Sequence, residues 1–317
     1  MAILLIHAGG TIGMVESDEG FSPAQGVVED HVNQQVAEGL FPPMDIVRLD
    51  PLIDSANATP HDWHRIAITI AENMEAYDGF IVAHGTDTLA YTAAALTFAL
   101  EGLAKPVILT GAMLPIGVEG SDGPENLAAS VTHVQKAPAG VWVQFAGRHL
   151  HGSRVRKSHS RQFDAFAADP GEYPPLRSGP AFRLHQPRPW NIVILAVAPG
   201  MSDNVARYAA ETCDGIVLRC YGSGTVPHSE GLEQALATAW QRGCPVFAVS
   251  QCPEGGLALG TYAAGAVLKK YNVIDGRDIT LEAAYAKLVF ILSQEANFDR
   301  QRQMLQTPLA GEMHTAS

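Results

Sequence analysis

The feature that most narrows the possible folds is an alternation. Short apolar runs at Ile3–Ile6, Ile46–Leu49, Phe80–Ala83, Val107–Leu109 and Val141–Phe145 are separated by stretches with helical spacing, and turn residues bound each run. Runs continuous in Val, Ile and Leu suit strands covered on both faces, as in parallel sheets flanked by helices. The alternation therefore predicts an α/β fold. The clearest helix is expected from about Pro60 to Tyr77. Thr59 is placed to cap it, Pro60 suits the first helical position, and Asp62 lies in the first turn. Trp63, Ile66, Ala67, Ile70, Ala71 and Met74 then share one face. A second helix, roughly Leu89 to Leu103, is Ala-rich and nearly apolar all round, which predicts burial.

The alternation breaks once. Pro170, Pro174, Pro175, Pro180, Pro187 and Pro189 crowd the stretch from Asp169 to Pro189, which reads as an extended linker. Beyond it, Ile192–Val197, Gly215–Arg219 and Val246–Val249 read as strands, with helices near Asp203–Thr212, Ser229–Gln241 and Leu281–Leu292. The expectation is two open, mostly parallel α/β domains. The larger, N-terminal one spans 1–170 and carries the candidate site; a Pro-rich linker spans 171–190; a smaller, Rossmann-like domain spans 191–317. A length of 317 residues, with 47% hydrophobic and 17% charged, suits two globular domains.

Charge and composition exclude several classes. The net charge of −12 argues against a nucleic-acid partner, because such proteins concentrate Lys and Arg to displace counterions. The densest basic run, Arg154 to Arg161, is short and mixed with His and Ser, the pattern of a solvated loop. Cys213, Cys220, Cys244 and Cys252 form no C-x-x-C pair, and the histidines form no ligand motif, so no metal site is expected and the thiols read as reduced and structural. The N-terminal apolar run is too short for a signal segment, and no stretch is long enough to span a membrane. A soluble, cytoplasmic protein is expected.

In open parallel sheets, ligands bind beyond the carboxyl ends of the strands. The first strand runs into His7-Ala8-Gly9-Gly10-Thr11-Ile12-Gly13, the third into His84-Gly85-Thr86-Asp87-Thr88, and the fourth into Thr110-Gly111-Ala112-Met113. The first loop lacks the glycine of a dinucleotide fingerprint at Ala8 and the lysine of a phosphate-binding loop. A Gly-Gly turn alone is a structural feature, and Thr86 or Asp87 alone reads equally as a helix cap. Two hydroxyl loops at equivalent strand ends suggest chemistry. A threonine hydroxyl becomes a nucleophile only when a base takes its proton, and a lysine oriented by a carboxylate can be that base. Thr86, Asp87 and a lysine would form such a relay.

These two loops resemble the signatures of the bacterial-type L-asparaginases, a family that includes glutaminase-asparaginases. The likeness continues through Leu52-Ile53-Asp54-Ser55, Leu109-Thr110-Gly111-Ala112-Met113, Arg156-Lys157-Ser158 and Phe163-Asp164-Ala165-Phe166. Near the C-terminus, Tyr262-Ala263-Ala264-Gly265 and Leu281-Glu282-Ala283-Ala284 look like the cytoplasmic, type I branch. The resemblance implies hydrolysis of L-asparagine to L-aspartate and ammonia through an acyl-enzyme, with L-glutamine as an alternative substrate. It implies Thr11 as nucleophile, although it leaves open which threonine attacks first, and Thr86, Lys157 and Asp87 as a second constellation. Ser55 and Asp87 match anchors for the α-carboxylate and α-ammonium groups; Gly85 and Ala112 match residues that line the pocket through their backbones. No metal or organic cofactor is implied. Tyr221-Gly222-Ser223-Gly224-Thr225 resembles a loop that reaches a neighbouring subunit, which implies a homodimer or homotetramer.

The sequence departs from the family at three places. Phe21 follows Gly20 where many relatives have tyrosine, so it can act as an apolar lid but has no hydroxyl. Ala56 stands beside Ser55 where periplasmic relatives have glutamine, and Thr225 stands near where relatives carry asparagine. Two competing readings are another amide hydrolase of the same superfamily and a non-catalytic sensor that keeps the pocket.

Overall fold

The computed structural model describes residues 1–17, 20–24 and 26–315. In chain order, the first part contains β1 (Ile3–Gly9), a hairpin of β2 (Met14–Ser17) and β3 (Gly20–Pro23), α1 (Val27–Ala37), β4 (Asp45–Ile53), α2 (Pro60–Glu72), β5 (Gly79–Ala83), α3 (Leu89–Ala99), β6 (Leu100–Glu101), β7 (Pro106–Thr110), α4 (Gly123–Val134), β8 (Gly140–Phe145), β9 (Arg148–His151), β10 (Val155–Lys157), β11 (Phe166–Ala168) and β12 (Arg183–Leu184). The second contains β13 (Ile192–Ala196), α5 (Asp203–Thr212), β14 (Gly215–Cys220), α6 (Glu230–Arg242), β15 (Val246–Ser250), α7 (Ala266–Lys270), β16 (Ile274–Asp275), α8 (Leu281–Gln294) and α9 (Phe298–Gln306).

The main sheet of the first part runs β4-β1-β5-β7-β8-β9. Every pairing is parallel except β8 with the edge strand β9. The central strands β1, β5 and β7 are buried along their whole length, which is why they read as unbroken apolar runs. The order reverses at β1, whose neighbours β4 and β5 lead away on opposite sides. The carboxyl ends of β1 and β5 therefore mark the switch point, the place at which open α/β sheets bind ligands.

The two helices expected in the first part are present with shorter ends, while the expected Leu281–Leu292 helix runs on to Gln294. In α2, the Asp62 carboxylate accepts from both the backbone N–H and the hydroxyl of Thr59, each at 2.9 Å. The helix stops at Glu72 rather than Tyr77; Asn73 caps it, and its amide donates to the Thr69 carbonyl. The expected helix to Leu103 ends at Ala99, because Leu100–Glu101 turn into a strand that pairs antiparallel with Arg183–Leu184. All of α3 is buried except Tyr91, in keeping with its apolar circumference.

The chain divides into two compact units, Met1–His185 and Gln186–Ser317. The division falls inside the stretch expected as a linker. Up to His185 that stretch is stitched to the first unit: Arg177 and His185 each pair with Glu101, at 3.0 and 2.7 Å. The second unit is a parallel sheet of order β13-β14-β15-β16 flanked by helices. Within it, Lys287 and Glu312 form an ion pair at 2.7 Å with neither side chain exposed. Lys287 also donates to the carbonyls of Leu305 and Thr307, and Glu312 accepts from the backbone of Leu309 and Ala310.

Candidate active site

The loop after β5 carries most of the polar geometry. Thr86 is buried, while the neighbouring Asp87 side chain is 63% exposed. Lys157, at the end of β10, reaches both. Its Nζ donates to Thr86 Oγ1 at 2.9 Å and to Asp87 Oδ1 at 2.8 Å. β10 is fixed by its antiparallel pairing with β11, which sets Lys157 opposite Phe166. The basic run, read as a solvated loop but for Lys157, is partly structural elsewhere too: Arg154 is buried, and Arg156 pairs with Asp169 at 3.1 Å.

The loop after β1 meets the loop after β5 backbone to backbone. Gly10 adopts φ +94, a conformation that favours glycine, and a Cβ on it would lie 2.3 Å from both Cα and N of Gly85. Gly85 in turn has no room for a side chain, because its Cβ would lie 2.3 Å from Ser55 Oγ. Ser55 is buried in the short turn that follows β4, and its carbonyl accepts from the Thr88 hydroxyl at 2.8 Å. Ends of β1, β4 and β5 therefore converge, bringing Ser55, Gly85, Thr86, Asp87 and the Thr11 turn to one place. Thr11 begins a 3-10 turn over Thr11–Gly13 and is half-buried. It is outside the lysine network: Lys157 bonds to Thr86 and Asp87, and no hydrogen bond joins Thr11 to these three among the described residues.

Three polar groups missed by sequence reasoning, His84, Asn126 and Asp122, hold this floor in place. His84 is fully buried, with Nδ1 2.8 Å from the Gly85 carbonyl and Nε2 3.0 Å from Thr92 Oγ1. Burial pushes its pKa below the usual imidazole value, so the ring is neutral. A carbonyl only accepts, so the proton sits on Nδ1 and the Thr92 hydroxyl donates to Nε2. On the next loop, Ala112 is buried beyond β7. Asn126 of α4 donates to the Gly111 carbonyl at 3.0 Å and accepts from the Ala146 backbone at 2.9 Å, joining the ends of β7 and β8. Asp122 accepts from the backbone of Met113 and Leu114. Asp122-Gly123-Pro124, an acidic residue before a helical proline, was the available signal for this helix start.

Phe21 lies on the hairpin strand β3 opposite Glu16, with 45% of its surface exposed. Asp18 and Glu19, which bear on the register of that loop, fall outside the described residues. Ala56 is exposed beside Ser55. Thr225 pairs with Tyr221 across a tight turn of the second unit. All four cysteines are free thiols; burial pushes those of Cys220 and Cys244 up to about 12, well away from thiolate chemistry. Among the described residues there is no cluster of three or more His, Cys, Asp or Glu side chains able to hold a metal.

Hydroxyls on two loops at the switch point of an open parallel sheet, one of them bridged by a lysine to a carboxylate, define a class: α/β enzymes equipped for acyl transfer. Comparison with known proteins narrows it. Residues 2–184 match the family description "Asparaginase, N-terminal", and residues 191–305 match "Glutaminase/Asparaginase C-terminal domain". The chain is 36% identical over 335 residues to L-asparaginase 1 of Escherichia coli strain K12, covering 98% of each chain. Its fold superposes on the structure of L-asparaginase I from Vibrio cholerae with a TM-score of 0.88 at 35% identity over 99% of each chain. The thermostable L-asparaginase from Thermococcus kodakarensis gives the same TM-score at 30% identity over 100% of each chain. The chain belongs to the asparaginase family and is an amidohydrolase.

Proposed function

We propose that the chain hydrolyses L-asparagine to L-aspartate and ammonia in two acyl-transfer steps, and that Thr11 makes the first attack. The Thr11 oxygen bonds to the side-chain amide carbon, its proton passes to the amide nitrogen, and ammonia leaves a β-aspartyl ester. Water then attacks that ester and releases aspartate and Thr11. Thr86, with Lys157 as its proton partner, orients the water. Backbone N–H groups around Thr11 and Thr86 serve the oxyanion; one such donor is typically worth about 3–4 kcal/mol in the transition state.

The observation that carries this reading is the Lys157 bridge to Thr86 and Asp87 on the loop that meets the Thr11 loop. Lys157 occupies one oxygen of Asp87 and leaves the exposed remainder of that carboxylate for the substrate's ammonium group. Ser55 takes the α-carboxylate, while the backbones of Gly85 and Ala112 line the pocket and Phe21 closes over it as an apolar lid. L-Glutamine is the alternative substrate, since one methylene in a pocket changes selectivity by only about 1–3 kcal/mol. A homodimer or homotetramer is part of the proposal, on the likeness of the Tyr221–Thr225 turn to an intersubunit loop. The cytoplasm is the proposed compartment, supported by the four free thiols; no helix of the described residues is long and apolar enough to cross a membrane.

The test is ammonia release from L-asparagine, L-glutamine and D-asparagine by wild type, Thr11→Ala and Thr86→Val. Wild type is expected to turn over L-asparagine, and both variants to lose activity. Binding without ammonia release would leave the sensor reading in its place; retained activity in Thr11→Ala would remove Thr11 as nucleophile.

A further inference from the structure

Behind the Thr11 turn lies a buried polar pair that the reaction above does not use. His7 stands in β1 directly after the apolar run Ile3–Ile6 and is fully buried. Its Nδ1 is 2.9 Å from Oε1 of Glu29, in the first turn of α1. Burial works to raise the Glu29 carboxyl, but the bond from His7 and the backbone outweigh it and hold the group below the usual carboxylate range. A charged carboxylate only accepts, so Nδ1 donates and the ring is held in one rotation. Arg48, the register partner of His7 on β4, is the further charged group that acts on Glu29.

The opposite edge of the ring faces the catalytic turn. A Cβ on Gly13 would lie 2.8 Å from His7 Nε2 and 3.0 Å from Cε1. Nε2 is buried and has no hydrogen-bond partner among the described residues, so this edge acts by contact alone. Gly13 is the last residue of the turn that Thr11 begins, and its N–H closes that turn on the Gly10 carbonyl at 3.1 Å. Its own carbonyl accepts from Ala24 at 3.1 Å, tying the turn to the returning end of the hairpin. The imidazole is thus wedged between α1 and the segment that bears Thr11.

We propose that His7, oriented by Glu29, is a positioning residue that fixes the placement of the Thr11 turn. The proposal rests on the reading of Thr11 as nucleophile. A hydrocarbon side chain would fill the same space in this apolar strand, but the bond to Glu29 adds a directional restraint on the ring beyond packing. A displacement of about 1 Å at such an oxygen can cost about 100-fold in rate.

The experiment measures ammonia release from L-asparagine, and L-aspartate binding by calorimetry, for the full chain with His7→Ala, Gly13→Ala, the two combined, and Glu29→Leu. Each single variant is expected to lower kcat by about 10–100-fold with the aspartate Kd unchanged within about twofold, since the anchors of the product lie on the loops after β4 and β5. The double variant is expected to be about tenfold more active than the product of the single effects, because the methyl group added by Gly13→Ala takes space that His7 vacates. Should Gly13→Ala fail to fold, Glu29→Leu decides the matter, as Glu29 lies at the edge of the pair with 19% exposure. Turnover within about twofold of wild type in both His7→Ala and Glu29→Leu overturns the proposal, as does aspartate affinity that falls in step with kcat. A wild type that releases no ammonia overturns the parent reading, and this one with it; an active wild type indifferent to His7 and Glu29 overturns this one alone.

Discussion

Lys157 holds a hydroxyl and a carboxylate with a single ammonium group, at 2.9 and 2.8 Å. Replacing it with methionine keeps the apolar stem and removes the proton partner of Thr86. Proton transfer by a positioned side chain typically contributes about 10²–10⁴-fold, so Lys157→Met is expected to lower kcat on L-asparagine by that range. The melting temperature should move little, because the ion-pair partner Asp87 is 63% exposed and methionine keeps the packing of the lysine stem. An unchanged kcat, measured by ammonia release, would remove Lys157 from the reaction. The pairing was only half legible in the sequence. Thr86 and Asp87 are neighbours at a strand end, but nothing in spacing links them to a lysine 70 residues beyond Asp87; only the likeness at Arg156-Lys157-Ser158 singled it out. Asp122, Asn126, His84 and His7 were silent for another reason. The first three bond to backbone groups and His7 to the Glu29 side chain, and none of these contacts leaves a chemical motif.

Elements buried on both faces announced themselves. β1, β5, β7 and α3 are continuous apolar segments because both sides are covered. α1 went unread since only Val28 and Val32 are buried, too few to mark a helical stripe. α9 has just Gln301 and Leu305 buried, and α4 opens on Gly123-Pro124, which reads as a turn. The edge strand β9 was missed as well, and it carries a ring stack with a pH consequence. His149 lies between His133, at 4.0 Å and 7°, and Trp142, at 4.6 Å and 22°. Burial, and then the charge of His133, push its pKa down to about 4. The unfolded chain takes up that proton near 6.5, so the stabilising contribution is complete above 6.5 and is lost as pH falls toward 4. His149→Phe keeps a ring in the stack and removes the titration. Melting curves between about pH 7 and 4 should fall less steeply for the variant; identical slopes would mean the histidine does not titrate as its surroundings dictate.

Two compact units divide the chain at His185, and each has its own fastening. Prolines made 171–190 look like a free linker, because composition reports the absence of regular structure and not the docking of an irregular segment. Strand β12 and the Glu101 contacts of Arg177 and His185 attach that segment to the first unit. In the second unit the Lys287–Glu312 pair fastens the chain beyond α9 to α8. Lys287→Met strands a fully buried carboxylate, and breaking such a pair from one side typically costs about 3–5 kcal/mol. Urea unfolding should register a loss of that size, and a loss below about 1 kcal/mol would show that Glu312 finds another partner. Such breadth of consequence from one buried charge contrasts with the contact of Gly10 and Gly85, where there are no side chains at all. Rotamers can readjust to a new neighbour; two peptide planes in contact cannot. The clearance between the loops at that contact is consequently gauged by the thickness of the backbone itself. Two positions without a functional group thus leave no room for any side chain in the site.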